Sequence, residues 1–157
     1  MMNKLKLVSP VLMWTLVVLG VVSAFKFISP LRLIPRNMFT PFLIFPAAFY
    51  SGFIYLKALQ VHRQAPLSAA AINHLVTTGI YAKVRHPIYS AAIVFGWGCF
   101  FFLPNLRMLI GMVWLTLVLF FWMKLEEQAL LVKFGEEYNL YKQTAPMFIP
   151  KFYLWKK

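Results

Sequence analysis

The chain of 157 residues contains no aspartate, only four acidic residues and a single cysteine. Charged side chains make up 13% of it, against roughly a quarter in an ordinary soluble domain. So little charge excludes a water-solvated globular surface and leaves a membrane protein, as the 61% hydrophobic and 18% aromatic content also requires. The lone cysteine, Cys99, lies inside an apolar run. It excludes an internal disulfide and any multi-cysteine metal centre, and it reads as a small buried hydrophobe. No metal site is expected. The sequence also lacks the G-x-G-x-x-G fingerprint of a parallel-sheet nucleotide-binding domain, any internal repeat and any low-complexity tract.

What is present is a set of four apolar runs near the length that crosses a ~30 Å hydrocarbon core: Val8 to Phe25, Met38 to Leu56, Ile88 to Leu103 and Arg107 to Leu125. The first is long for a signal peptide, lacks a small-residue cleavage signature and is followed by further spans, so it is expected to stay as a helix. The third has 16 residues and is separated from the fourth only by "PNL", so the two predict an antiparallel hairpin. The expected architecture is an all-α integral membrane protein, a single domain over 1–157, with about four transmembrane helices and a C-terminal amphipathic helix on the cytoplasmic surface. That last helix is predicted in "EEQALLVKFGEEYNLYKQ", where Leu130, Phe134, Tyr138 and Tyr141 recur at three and four, with a break or bend at Gly135. The longest polar interval, Lys57 to Pro87, predicts a loop at Pro66 and a short helix ending near Gly79.

The net charge of +12 would suit a nucleic-acid partner if the basic residues were interleaved with aromatics. Instead they flank the apolar runs, and membrane topology accounts for them. With four spans, twelve lysines and arginines fall on one side and four on the other, the minority being Lys26, Arg32, Arg36 and Arg107. The positive-inside rule then places both termini and the central loop in the cytoplasm. The expected partners are the lipid bilayer and a lipophilic or small-molecule substrate, with no nucleic acid.

Chemistry-bearing residues concentrate in "YAKVRHPIYSAA", Tyr81 to Ala92, at the start of the third run. Pro87 suits the first turn of a helix, since its missing N–H is unsatisfied there in any case, so the helix is expected to begin at His86 or Pro87. His86, Tyr89 and Ser90 then share one face. Taken singly, Arg85 is a topology marker, His86 a cap, Tyr89 an interfacial aromatic, and the pair Glu126 and Glu127 a solvated face. Counted from Asn105 as the hairpin turn, however, Arg85 lies twenty residues before and Glu126 twenty-one after, so both clusters end at one membrane depth. A guanidinium for an anion, carboxylates for an amine or hydroxyls, and aromatic faces for stacking together suit an interfacial site for a charged cofactor. Adjacent helical residues diverge by ~100°, so one glutamate of the pair is expected to face inward.

"TTGIYAKVRHPIYSA", an apolar hairpin, and then "EEQALLVKFGEEYNLYKQTAPMFIP" closely resemble the cofactor-binding half of isoprenylcysteine carboxyl methyltransferases and their phospholipid methyltransferase relatives. The resemblance covers Leu75 to Pro150. It departs from the family at Ile80, where a proline is usual, and at Ala91, where a glycine is usual. It implies a membrane methyltransferase that uses S-adenosylmethionine, with Tyr81, Val84, His86, Pro87, Tyr89, Glu126 and Glu127 at the cofactor, and Arg85 and Glu127 as catalytic residues, Arg85 orienting an anionic substrate or helping to organise the site. The implied active site is cytoplasmic, and the acceptor is left open among an isoprenylcysteine-like carboxylate, a phospholipid amine and a small thiol. Two other classes share parts of the pattern: membrane sterol reductases that bind a nicotinamide cofactor, and non-catalytic lipid-binding proteins that keep the motif as scaffold.

Overall fold

A computed structural model describes residues 9–35, 39–61 and 74–150 of the chain. The described residues form five α-helices: α1 Pro10–Phe27, α2 Ile44–Val61, α3 Pro87–Phe102, α4 Leu106–Phe134 and α5 Glu136–Thr144. Proline opens two of them in the position where its missing N–H costs nothing, Pro10 in α1 and Pro87 in α3, while Pro41 sits in the 3₁₀ turn Thr40–Leu43 that leads into α2. Asn105 caps α4 with its side-chain oxygen, which accepts from the Met108 amide at 3.0 Å. Leu103 and Pro104 therefore make the tight turn of the expected α3–α4 hairpin.

Among the described residues, three helices are long and apolar enough to cross a membrane: Pro10–Phe27, Thr40–Val61 and Leu106–Phe134. The 16 residues of α3 are apolar but rise only about 24 Å, short of the ~30 Å core. The four runs of the sequence are thus three long helices and one shorter one. Many large apolar side chains on α2 and α4 point outward, among them Phe45, Phe49, Phe53, Leu117 and Phe121, as they would toward lipid.

The helices pack chiefly as α2 on α3 and α1 on α4, with α3 and α4 joining the two pairs. The α2–α3 seam is close because small residues line it: a side chain at Gly98 would collide with the Ala47 methyl group. Hydrogen bonds reinforce the same seam. Ser51 donates to the Ala91 carbonyl at 2.8 Å, and the Tyr50 and Ser90 hydroxyls pair at 2.8 Å. Ala91 is buried on this face among Ile54, Ala58 and Val84.

Two expectations are corrected. The fourth run and the amphipathic segment are not separate helices, because α4 runs unbroken through Glu126 and Glu127 to Phe134, about 44 Å long over its 29 residues. The break comes at Gly135, whose φ of +54° is a left-handed value that glycine takes without Cβ strain. In addition, Gly79 does not end a helix. Its φ is +61°, residues 74–78 are not helical, and the 3₁₀ turn Gly79–Ala82 begins there. Residues 62–73, with His62 and Pro66, and seven basic residues of the charge count, Lys4, Lys6, Arg36, Arg63, Lys151, Lys156 and Lys157, lie outside the described residues.

Candidate active site

The cluster is assembled where the 3₁₀ turn, the start of α3, the polar end of α4 and the segment after α5 meet. His86 is the residue before α3 and Pro87 its first. The backbone just ahead of α3 is held by the C-terminal segment: the Arg85 amide donates to the Pro146 carbonyl at 2.9 Å and the His86 amide to the Met147 carbonyl at 3.1 Å. Residues 145–148 thus form a strap across the motif. Phe148 carries the strap onto α4 by packing against Phe120, with ring centroids 5.3 Å apart.

Both glutamates turn inward, which differs from the expected division into one buried and one solvated. Their divergence along the helix is met by two different partners. Glu126 accepts from the Tyr89 hydroxyl at 2.6 Å, whereas Glu127 takes Nε and Nη2 of Arg85 on one oxygen at 2.8 and 2.5 Å. The His86 ring lies between them, with Nδ1 3.6 Å from Glu126 and Nε2 3.6 Å from Glu127. It also stacks on Tyr89 at 5.7 Å between centroids. All of this is out of water: His86 and Glu127 are each 7% exposed.

The remaining Arg85 nitrogen, Nη1, donates to the carbonyls of Lys142 and Ala145 at the end of α5. Those are C-terminal carbonyls that helix geometry leaves without partners, so the guanidinium caps one helix while it neutralises a carboxylate on another. Arg85 therefore ties α4, α5 and the strap together. Lys142 adds a longer contact, its Nζ 4.0 Å from the other Glu127 oxygen.

Tyr81 and Val84, expected near the cofactor, are both buried just ahead of the motif. The Tyr81 carbonyl accepts from the Tyr141 hydroxyl at 2.7 Å, which docks α5 on the 3₁₀ turn. Tyr138 and Tyr141 are buried on one face of α5. The sequence offered them only as apolar positions at helical spacing. Burial pushes the hydroxyls of Tyr81, Tyr138 and Tyr141 above their ordinary value of 10, with the Glu126 charge adding to the shift at Tyr81 and the Glu127 charge at Tyr138.

Two buried polar atoms of the cluster, His86 Nε2 and the Tyr138 hydroxyl, have no hydrogen-bond partner among the described residues. A buried polar group left so costs about 1–3 kcal/mol, a cost that a polar ligand bonding to it would remove. Two carboxylates, an imidazole and tyrosines offer acceptors for an ammonium and hydroxyls and a flat face for a base. The donor set fits S-adenosylmethionine, which carries an amine, ribose hydroxyls and an adenine ring.

Residues 64–137 match the family described as phospholipid methyltransferase. The chain is also similar to methanethiol S-methyltransferase 1 of Bradyrhizobium diazoefficiens, with 32% identity over 109 residues, covering 69% of this chain. It spans 38% of the length of that relative.

Proposed function

We propose that the chain, whose residues 64–137 match the phospholipid methyltransferase family, is a multi-pass membrane methyltransferase that uses S-adenosylmethionine. The observation that carries this is the buried cluster of Tyr89, His86, Glu126 and Glu127 with its two unpartnered polar atoms, placed at the start of α3 where a membrane helix emerges. When bound, the cofactor supplies an electrophilic methyl group on a sulfonium sulfur, which passes to the acceptor's nucleophile and leaves S-adenosylhomocysteine.

His86, Tyr89 and Glu126 are the cofactor contacts in this reading, with Val84, Pro87 and Tyr81 shaping the wall behind them. Glu127 keeps its place through Arg85, and Arg85 acts as a positioning residue that fixes Glu127, the end of α5 and the strap at once. What these residues contribute is chiefly alignment and exclusion of water, which together account for most of the rate gain in a methyl transfer that needs little covalent help from the protein. A carboxylate acceptor reacts without a base. For a thiol or amine, the proton leaves toward His86, which has Glu126 and Glu127 on either side of its ring. The site stands on the cytoplasmic side, where the water-soluble cofactor is made and a membrane-dissolved acceptor can approach between helices.

The test is transfer of label from methyl-labelled S-adenosylmethionine into a membrane extract by the purified protein in nanodiscs, followed by identification of the labelled product. A labelled thioether, methylamine or methyl ester supports the proposal and names the acceptor. Absence of any labelled product, with binding of a nicotinamide dinucleotide instead, points to the reductase class.

A further inference from the structure

We propose that Lys26, Arg32 and Arg107 bind the phosphate of an anionic phospholipid in the leaflet opposite the polar cluster. The site stands apart from the methyl-transfer reading and does not depend on it. Its three cations come from the last turn of α1, the segment after it and the first turn of α4. That segment is fastened to the hairpin turn as an antiparallel bridge, with Arg32 opposite Asn105. The Leu106 amide donates to the Leu31 carbonyl at 2.8 Å and the Leu33 amide to the Pro104 carbonyl at 2.9 Å. Arg107 reaches back to α1, its Cζ 5.2 Å from the centre of the Phe25 ring, and Lys26 is the next residue of that helix.

The chain has no acidic side chain to pair with them. Its four are Glu126, Glu127, Glu136 and Glu137, and α4 runs unbroken from Arg107 to Glu126, about 28 Å along the helix axis. Glu136 and Glu137 open α5, which docks beside the cluster. Lys26 and Arg32 are exposed, and water with mobile ions suffices for them. Arg107 is different. It is partly buried, Phe25 covers one face of its guanidinium, and its Nε is buried with no hydrogen-bond partner among the described residues. A cation held away from water without an anion is unfavourable, and a phosphate at the guanidinium edge supplies both the countercharge and oxygen acceptors.

The surroundings select a lipid over a soluble anion. Phe27, Leu31 and Leu33, which flank Lys26 and Arg32 in the chain, are exposed, as suits side chains in contact with hydrocarbon. The length of α4 between Arg107 and Glu126 is close to the ~30 Å of a hydrocarbon core. With the cluster at one membrane boundary, the cations therefore stand at the other, at the depth of the lipid phosphates. Lysine and arginine at that depth lay their stems along apolar surface and keep their charges among the head groups. One anionic lipid seated there ties the end of α1 to the start of α4 through its phosphate, with its chains along the outer faces of the helices.

The test uses the full chain, purified in an uncharged detergent and titrated in three arms with phosphatidylglycerol, phosphatidylcholine and inorganic phosphate. Native mass spectrometry counts the lipid retained, and hydrogen exchange follows the backbone over residues 25–33 and 104–109. Saturable retention of one phosphatidylglycerol, with slowed exchange in both segments, is the expected result. Its affinity should fall about fivefold or more in Arg107→Gln and in Arg32→Gln, and stay unchanged in Lys124→Gln, toward the cluster end of α4. Equal retention of phosphatidylcholine by the wild type shows ordinary lipid contact and overturns the proposal. So does phosphatidylglycerol that slows exchange only in residues 126–144, around the polar cluster. Inorganic phosphate that slows the two segments as strongly as the lipid does reveals a soluble-anion site and overturns the lipid as its ligand. The three wild-type arms decide even where a variant fails to fold, and wild-type affinity in both folded arginine variants overturns the assignment of these residues.

Discussion

Glu127 accepts two N–H groups of Arg85 on a single oxygen, at 2.8 Å from Nε and 2.5 Å from Nη2, while the third nitrogen of the same guanidinium caps α5. One planar side chain thus holds three segments that are distant in sequence. Lysine keeps the charge and loses the fork, so Arg85→Lys is expected to cost about 1–3 kcal/mol in transition-state stabilisation, read as a ten- to hundredfold fall in kcat/KM. The check is methyl-transfer kinetics on a variant whose fold is verified by circular dichroism. Wild-type kinetics would show that the fork is dispensable.

The two glutamates should respond unequally to the same substitution. Glu127→Gln leaves a buried guanidinium without its countercharge, and breaking a buried pair in this way costs about 3–5 kcal/mol of stability. Glu126→Gln keeps a carbonyl for the Tyr89 hydroxyl, so its fold should survive while cofactor affinity drops. Thermal unfolding and titration calorimetry on both variants separate the two effects. Equal behaviour in both assays would contradict the assignment of separate partners.

The buried tyrosines set an alkaline limit to stability. Tyr81, Tyr138 and Tyr141 have folded-state values raised above 10, so the fold favours their neutral forms. Their contribution is fully present below pH about 10 and is lost as pH rises beyond it, at up to about 1.4 kcal/mol per pH unit for each group. Tm measured from pH 8 to 11.5 should fall above pH 10, and Tyr138→Phe should flatten that fall, because it removes one titrating group whose hydroxyl has no protein partner among the described residues. An unchanged slope in Tyr138→Phe would show that the decline comes from other groups.

The asymmetry of basic residues predicts both termini on the cytoplasmic side, together with the cluster. Reporter fusions at each end, and accessibility of a cysteine placed at Lys83, should agree on that side. Termini on opposite faces would mean that α3 does not span.

Part of this arrangement was legible before any coordinates. Pro87 marked the start of α3, and the equal arms about Asn105 brought Arg85 and the glutamates to one depth, where the structure joins them. Hydropathy misplaced the end of α4, because it registers the change of surrounding at Glu126 but not the continuity of the backbone, which only Gly135 interrupts. The strap was unreadable for a different reason. Its bonds to Arg85 and His86 run through backbone carbonyls of Pro146 and Met147, and a carbonyl leaves no mark in the residue code. The job of Arg85 was open in the sequence between orienting an anion and organising the site, and the two acceptors at the end of α5 could not be read there.

The central claim is that the buried cluster at the start of α3 binds S-adenosylmethionine, and the most direct measurement is the binding isotherm of that cofactor with the purified protein and with His86→Ala, both verified as folded in nanodiscs. Saturable binding at one site in the wild type, weakened about tenfold or more in His86→Ala, is the predicted result. No binding by the wild type, or equal affinity in both proteins, would contradict it.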